Sequence, residues 1–301
     1  MQNLIAKCAI AASRKRAIPY KYRMSVIKRL HPSMLKDFPF EADLMGLRFS
    51  GNLVNFIDRM IYFTGAHEKH MLHFLRDVIG GLRAANLSPI VFADVGANAG
   101  NHSLYLSTLA DQVYAFEPFE RVRKQFEANI ARNRISNIRV FPFGLSNRQE
   151  TLPFYAGPDS NLGAASFVKD HTTYNTLLGE IVVKVGDEVA EQEHLLPVTL
   201  LKADVEGFEK NVLEGLAQTL QHDRPLIIAE MSPTTLESFD HSAANIRAAF
   251  PPDYDFYYFS YGNYNSGAYR LAPYDFTFHY KHQDVIACPR EWQNAWIPDR
   301  P

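Results

Sequence analysis

The chain has 301 residues, 47% hydrophobic and 21% charged, which supplies an ordinary core and excludes a disordered polypeptide. No apolar run is long enough to span a bilayer. The net charge of −2 divides unevenly: residues 1–36 hold nine Lys or Arg and no acid, leaving 22 basic and 33 acidic residues beyond them, and so acidic a body excludes a nucleic-acid backbone as substrate.

Met1–Ala12 is a poor signal peptide, because Lys7 interrupts the would-be apolar core and no charged side chain precedes it. Leu4, Ile5, Cys8, Ala9 and Ala12 share one face of a helix followed by Arg14-Lys-Arg16. That pattern suits peripheral contact of residues 1–36 with an anionic membrane, and a solvated basic tail or a helix packed on the body is the alternative, plainer reading. Cys8 and Cys288 make neither a disulfide framework nor a metal-ligand pair, so reduced thiols in a cytoplasmic protein are expected. Residues 1–60 read as a basic, mixed helical extension punctuated by Pro19, Pro32 and Pro39.

Helical spacing begins at Met71 and runs to Leu82, weakened near its end by Gly80-Gly81. Ile90–Val95 is a buried strand that ends in Asp94-Val-Gly-Ala-Asn-Ala-Gly100, a tight turn leading into a helix. Glycine at 96 and 100 permits positive φ and close approach of a ligand, and open α/β sheets bind ligands at this end of their strands. Val113–Glu117 is a second strand, whose acid follows Gly96 by 21 residues. A carboxylate at that spacing meets the two hydroxyls of a ribose. The turn lacks the third glycine of a dinucleotide site, so a cofactor with a ribose and no phosphates fits better; S-adenosylmethionine is the common one.

A helix follows over Glu120–Arg132, then a strand over Ile138–Phe143. Residues 157–179 read as a long loop placed to lie over a substrate pocket. Leu200–Asp204 is the fourth strand, Phe208–Leu220 a helix, and Leu226–Glu230 the fifth strand. Beyond Pro252 the chain turns aromatic, part of it as core strand. The alternation predicts an α/β fold with a doubly wound, mostly parallel sheet.

Five blocks in order, Gly65-Ala-His-Glu68, Asp94–Gly100, Ala115-Phe-Glu-Pro118, Leu201-Lys-Ala-Asp-Val-Glu-Gly-Phe-Glu209 and Pro225–Glu230, resemble the FkbM family of S-adenosylmethionine-dependent methyltransferases. The similarity covers roughly residues 60 to 232, with some support to 290. It implies a class I, Rossmann-like methyltransferase domain over 61–290. The sheet would have seven strands and an antiparallel C-terminal pair, with 291–301 as a tail. It also implies O-methylation of a hydroxyl on a sugar, glycolipid or secondary metabolite, so the partner is a small-molecule or glycan acceptor. The expected cofactor-binding residues are Glu68, Asp94, Gly96, Asn98, Gly100, Asn101, His102 and Glu117, with Gly144, Leu145 and Ser146 against the adenine.

A hydroxyl acceptor must lose its proton, which calls for a base or a metal that acidifies it. Asp204 and Glu206 flank Val205 at one strand end, and Glu230 ends the next; these are the expected catalytic acids. Glu206 and Gly207 would alternatively serve only to start the following helix. No spacing defines a metal site, though a divalent cation held by such acids is compatible with the pattern. His279 and His282, among aromatics, read as structural. A nicotinamide-dependent oxidoreductase and a non-catalytic interaction module are the competing readings.

Overall fold

The computed structural model describes Tyr22 and residues 38–156, 176–240, 242–276 and 283–292. The basic arm, the 157–175 part of the expected pocket loop, His279 and His282 lie outside the described residues. Among those described, no helix is long and apolar enough to cross a membrane.

The central sheet is built from strands β3 (Val91–Val95), β4 (Gln112–Phe116), β5 (Ile138–Phe141), β9 (Leu200–Ala203) and β10 (Leu226–Met231), all parallel, in the order β5-β4-β3-β9-β10. Beyond β10 the sheet continues antiparallel through β13 (Gln283–Pro289), β11 (Tyr254–Gly262) and β12 (Tyr269–Pro273). The sheet therefore has eight strands, not seven, and three of them join it through antiparallel pairings. The extra one arises because β11 doubles back through a turn, with Gly267 at φ 74°, and pairs with β12 along the aromatic segment.

Strand residues alternate between two cores, as the two-residue period of a strand requires. Phe92, Leu200, Leu226, Ile228 and Ile286 enter one core, while Val91, Leu201, Ala203, Ile227 and Val285 enter the other. The first core is covered by helices α1 (Phe56–Thr64) and α2 (Lys69–Ala84). The opposite face is covered by helices α5 (Gly186–Gln192), α6 (Glu209–Gly215) and α7 (Ala217–Asp223), among others. α3 (Asn101–Leu106) and α4 (Glu120–Asn133) link β3 to β4 and β4 to β5.

Three local expectations are corrected. Residues 39–52 form a β-hairpin, β1 (Pro39–Leu44) and β2 (Leu47–Asn52), where helix was expected. Its cause is the left-handed Met45-Gly46 turn and the alternating burial of Phe40 and Leu44. Helix α1 runs unbroken through residue 60. The single helix expected over 208–220 is two, α6 and α7, parted at Leu216. Gly215, the last residue of the first, packs so closely on β6 that a Cβ there would lie 1.8 Å from the Ser146 carbonyl oxygen. Finally, the chain after β5 leaves the main sheet: β6 (Gly144–Ser146) joins β7 (Glu150–Ala156) and β8 (Thr176–Val185) in a separate three-stranded sheet.

The hairpin is bound to the body through Asp58, a fully buried acid on α1. Its carboxylate accepts from the Asn52 N–H at 2.8 Å, Asn55 Nδ2 at 3.0 Å and Gln125 Nε2 of α4 at 3.0 Å. Asp58→Ala leaves these donors unsatisfied and should cost about 1.5–3 kcal/mol. Urea unfolding should show a lower midpoint at unchanged slope, and an unchanged midpoint would show that the network contributes nothing to stability.

Candidate active site

The turn after β3 is shaped by what presses on it. Gly96 has φ 84°, and a Cβ there would sit 2.0 Å from the Asp204 carbonyl oxygen. Gly100 has φ 80°, and its Cβ would strike the Phe126 ring at 2.1 Å. Both glycines are thus demanded by protein neighbours, and they let the turn lie close against the end of β9 and against Phe126. Asn98 sits between them in the left-handed region, φ 51°.

Glu117, at the end of β4, is buried and accepts the Asn98 N–H at 2.8 Å and the Phe119 N–H at 2.7 Å. Burial pushes its carboxyl up to about 7 against the pull of those bonds. Asp94 is 1% exposed; one oxygen accepts from Ser103 Oγ at 2.6 Å, and the other, Oδ1, is buried with no hydrogen-bond partner. The Asn101 side chain bridges to the preceding loop, accepting the His67 N–H at 2.9 Å and donating to the His67 carbonyl at 3.0 Å. That clamp carries Glu68, itself at φ 45°, to within 3.5 Å of His102 Nε2. Burial, then the Lys202 charge, hold His102 well below the ordinary histidine range, so it is neutral at pH 7.

The strand period explains the remainder. Asp94, Lys202, Glu230 and Asp284 share the parity of Phe92, Leu200, Ile228 and Ile286, so they emerge on one face at one end of the sheet. Asp94 lies directly across from Lys202, and Glu230 directly across from Asp284. Lys202 is 3% exposed, and its Nζ donates to Asp204 Oδ2 at 2.7 Å. Its burial disfavours the ammonium, yet the charges of Asp204, Asp94 and Glu68 outweigh this and raise its pKa. Burial likewise works against the Asp204 carboxylate, but Lys202 and a hydrogen bond with Glu230 hold its pKa below the usual range.

Glu206 has the opposite character. Desolvation and the neighbouring charges of Asp204 and Glu230 push it up to about 9, so at neutral pH it is a carboxylic acid and unfit to be the base. Burial among Glu68, Glu230 and Asp204 also raises Asp284 well above the carboxylate range. Glu209 accepts the Val205 N–H at 2.8 Å, the Gly207 N–H at 3.1 Å and Thr235 Oγ1 at 2.6 Å, which fixes the turn around Glu206. One oxygen from each of Asp204, Glu209 and Glu230 comes within 4.8 Å of the others. The Glu209 oxygens already accept from that turn and from Thr235, and Asp204 Oδ2 accepts from Lys202.

Of the expected site residues, Glu68, Asp94, His102, Asp204, Glu206 and Glu230 gather around Lys202, and Asn98 and Glu117 close the adjoining turn. Gly144 lies beside Pro118: a Cβ on that glycine would stand 3.9 Å from the proline Cγ. Leu145 and Ser146 are 3% and 0% exposed and lie in β6, whose Ser146 carbonyl packs against Gly215. Sequence reasoning missed Lys202, Asp284 and His67. The available signal was a lone charge in, or just before, an otherwise apolar strand. Glu68, Asn98 and Glu206, all non-glycine residues with positive φ, border this one site, where backbone strain commonly concentrates.

Residues 94–258 match the family described as Methyltransferase FkbM domain, more than half of the chain, and the chain belongs to that family. It is 31% identical over 137 residues to the hexuronic acid methyltransferase AglP of Haloferax volcanii, a match covering 44% of this chain and 52% of that protein. It is 31% identical over 161 residues to the AMB antimetabolite synthetase AmbE of Pseudomonas aeruginosa, covering 42% of this chain and 8% of that protein. Among solved structures, the methyltransferase FkbM from Methylobacillus flagellatus KT aligns with 93% of this chain and 58% of its own, at 14% identity and a TM-score of 0.47. The chain thus spans about half of AglP and a small part of AmbE.

The Lys202–Asp204 pair has a definite pH signature. Asp204, with its depressed pKa, contributes stability above the unfolded aspartate pKa and loses it as pH falls through the folded value. Lys202, with its raised pKa, contributes throughout the range below the unfolded lysine pKa. Lys202→Met should therefore cost about 3–5 kcal/mol at pH 7 by stranding buried acids. The deficit should shrink toward pH 4 as those acids protonate. A pH-independent deficit in chemical denaturation would contradict the pairing.

Proposed function

We propose that the protein is an S-adenosylmethionine-dependent methyltransferase acting on a hydroxyl of a sugar, glycolipid or secondary metabolite. The observation that carries this reading is the Asp204 carboxyl, to which Lys202 Nζ donates at 2.7 Å, at the strand end that presses on the Gly96 turn. When bound, S-adenosylmethionine supplies a methyl group made electrophilic by the adjacent sulfonium.

The residues fit that cofactor. The buried, unpartnered Asp94 Oδ1 is an acceptor awaiting a donor. Glu117, fixed by two backbone N–H groups, suits a pair of ribose hydroxyls, and Glu68 beside neutral His102 suits an ammonium.

Asp204 orients the acceptor hydroxyl by accepting its hydrogen bond and takes its proton. A carboxylate of depressed pKa is a weak base, but it suffices here. As the hydroxyl oxygen gains a methyl group it becomes oxonium-like and far more acidic than any carboxylic acid, so the proton moves late. Lys202 keeps the carboxylate charged beforehand, and protonated Glu206 donates a hydrogen bond where the expected base would have accepted one. Positioning accounts for most of the acceleration, about 7–11 kcal/mol in well-aligned systems. As an adjunct, residues 1–36, with nine basic residues and no acid, are proposed to make peripheral contact with an anionic membrane.

Asp204→Asn should slow methyl transfer about 10²–10⁴-fold while leaving the calorimetric affinity for S-adenosylmethionine within a few-fold of wild type. Full activity in that variant would refute the assignment. Glu117 gives a second check. Its charged form binds the hydroxyls and its pKa is about 7, so protonation competes with binding. Affinity should be flat above pH 8 and fall about tenfold per unit below pH 6. A flat profile across that range would remove Glu117 from the cofactor site.

A further inference from the structure

Resting on the proposed contact of residues 1–36 with a membrane, we propose that the folded body joins that contact. An aromatic rim beside the loop carrying Glu68 seats on an anionic phospholipid surface, and the candidate site opens onto it. Among the described residues the exposed aromatic side chains are Tyr22, Phe56, Tyr261 and Tyr264. Tyr22 belongs to the basic arm, and Phe56 and Tyr264 pack on the two residues that bracket the Glu68 turn. Phe56 stands edge to face with His67, centroids 5.7 Å apart, and Tyr264 with His70 at 5.2 Å. Tyr261 shares the β11–β12 turn with Tyr264, its hydroxyl accepting from Asn263 Nδ2 at 3.1 Å. The site reaches solvent here: the side chains of His67, Glu68 and Asp204 are 16%, 18% and 33% exposed, against 4% for Lys202.

Charge and chain path select the occupant. The arm, with nine Lys or Arg and no acid, joins the described body at Phe38. The Phe38 carbonyl accepts the Leu53 N–H at 3.1 Å, only three residues before Phe56, so the basic segment leaves the body beside the rim. A cation stands at each flank. The Arg59 guanidinium lies 5.9 Å from the Phe56 ring centroid, and Lys69 Nζ donates to the Asn265 carbonyl at 3.2 Å in the Tyr264 turn. That turn, residues 261–266, contains no acid, and Asp58, the acid next to Arg59, is fully buried. Aromatic rings with cations beside them match the headgroup level of a bilayer, where the ring enters the acyl boundary and the cation meets lipid phosphate. The strand β8 also exposes apolar side chains, Leu177, Leu178 and Val182, but exposed Glu180 stands among them, which suits an anionic surface poorly.

Vesicle partitioning of the full chain tests this, with phosphatidylcholine vesicles prepared with and without phosphatidylglycerol. The protein should bind only the vesicles that contain phosphatidylglycerol, and less as salt is added. Brominated lipid should quench the emission added by Phe56→Trp and by Tyr264→Trp, and should leave that added by Val182→Trp on β8 unquenched. Phe56→Ser and Tyr264→Ser should each weaken partitioning about three- to tenfold. Arg14→Gln with Lys15→Gln and Arg16→Gln should weaken it about tenfold or more. Vesicle binding without quenching at positions 56 and 264 leaves the arm as the whole contact and overturns the rim, and quenching at 182 alone overturns it by assigning another face. Self-association that Phe56→Ser abolishes, in place of vesicle binding, gives the rim to a second copy and likewise overturns the proposal. No binding to either vesicle defeats the arm and the rim together. Calorimetry of S-adenosylhomocysteine on the same samples without vesicles reads the methyltransferase assignment separately, and none of the vesicle results alters it.

Discussion

A lysine buried in the middle of a parallel sheet is the constraint around which this protein is arranged. An ammonium at 3% exposure is tolerable only if acids come to it, and here they come from three directions. Asp94 arrives from the neighbouring strand, Asp204 from two residues along the same strand, and Glu68 from a loop outside the sheet. Because the sheet's period fixes which side chains share a face, putting charge at this end of β9 obliges β3, β10 and β13 to present polar groups in the same row. The acids then perturb one another in opposite senses. Asp204 stays ionised beside its cation, while Glu206 and Asp284 are driven toward the neutral acid. One site thereby holds both an acceptor and donors of protons at the same pH.

The elements outside the sheet serve to bring the third acid in. Glu68 sits in a left-handed conformation between α1 and α2, a costly place for a glutamate. It is held there by the Asn101 clamp on His67, by the Gly65 cap of α1, and by the hairpin that Asp58 ties to α4. The N-terminal hairpin is in this sense part of the site's scaffold: Leu44, Phe49 and Leu53 enter the same core as Phe92 and Ile228. Opposite, Gly215 permits β6 to press on α6, which positions the strand–turn–helix that presents Asp204 and Glu206.

The parallel core was legible because its strands are short apolar runs that end in acids, and Asp94, Glu117 and Asp204 stood at those ends. What escaped was of two kinds. Lys202 and Asp284 each interrupt or precede an apolar strand as a single charge, and nothing local distinguishes such a charge from an exposed edge residue; only the register opposite Asp94 and Glu230 reveals its company. The packing of Gly215 on Ser146 is one contact between residues 69 apart in the chain, which no periodicity encodes. The hairpin was readable in principle from Met45-Gly46 and the alternation of Phe40 and Leu44, but neighbouring prolines and basic residues masked it. Glu206 illustrates a different limit. Its place beside Asp204 was clear, yet its protonation state follows from burial among other acids.

The account turns on Asp204 being ionised because Lys202 is buried beside it. Carboxyl carbon NMR of aspartate-labelled protein, with the resonance assigned from Asp204→Asn, reads this directly. The account predicts that the Asp204 signal keeps its carboxylate shift from neutral pH down past the ordinary aspartate pKa, and that Lys202→Met moves its titration upward. A wild-type Asp204 signal that titrates above that ordinary value would contradict it.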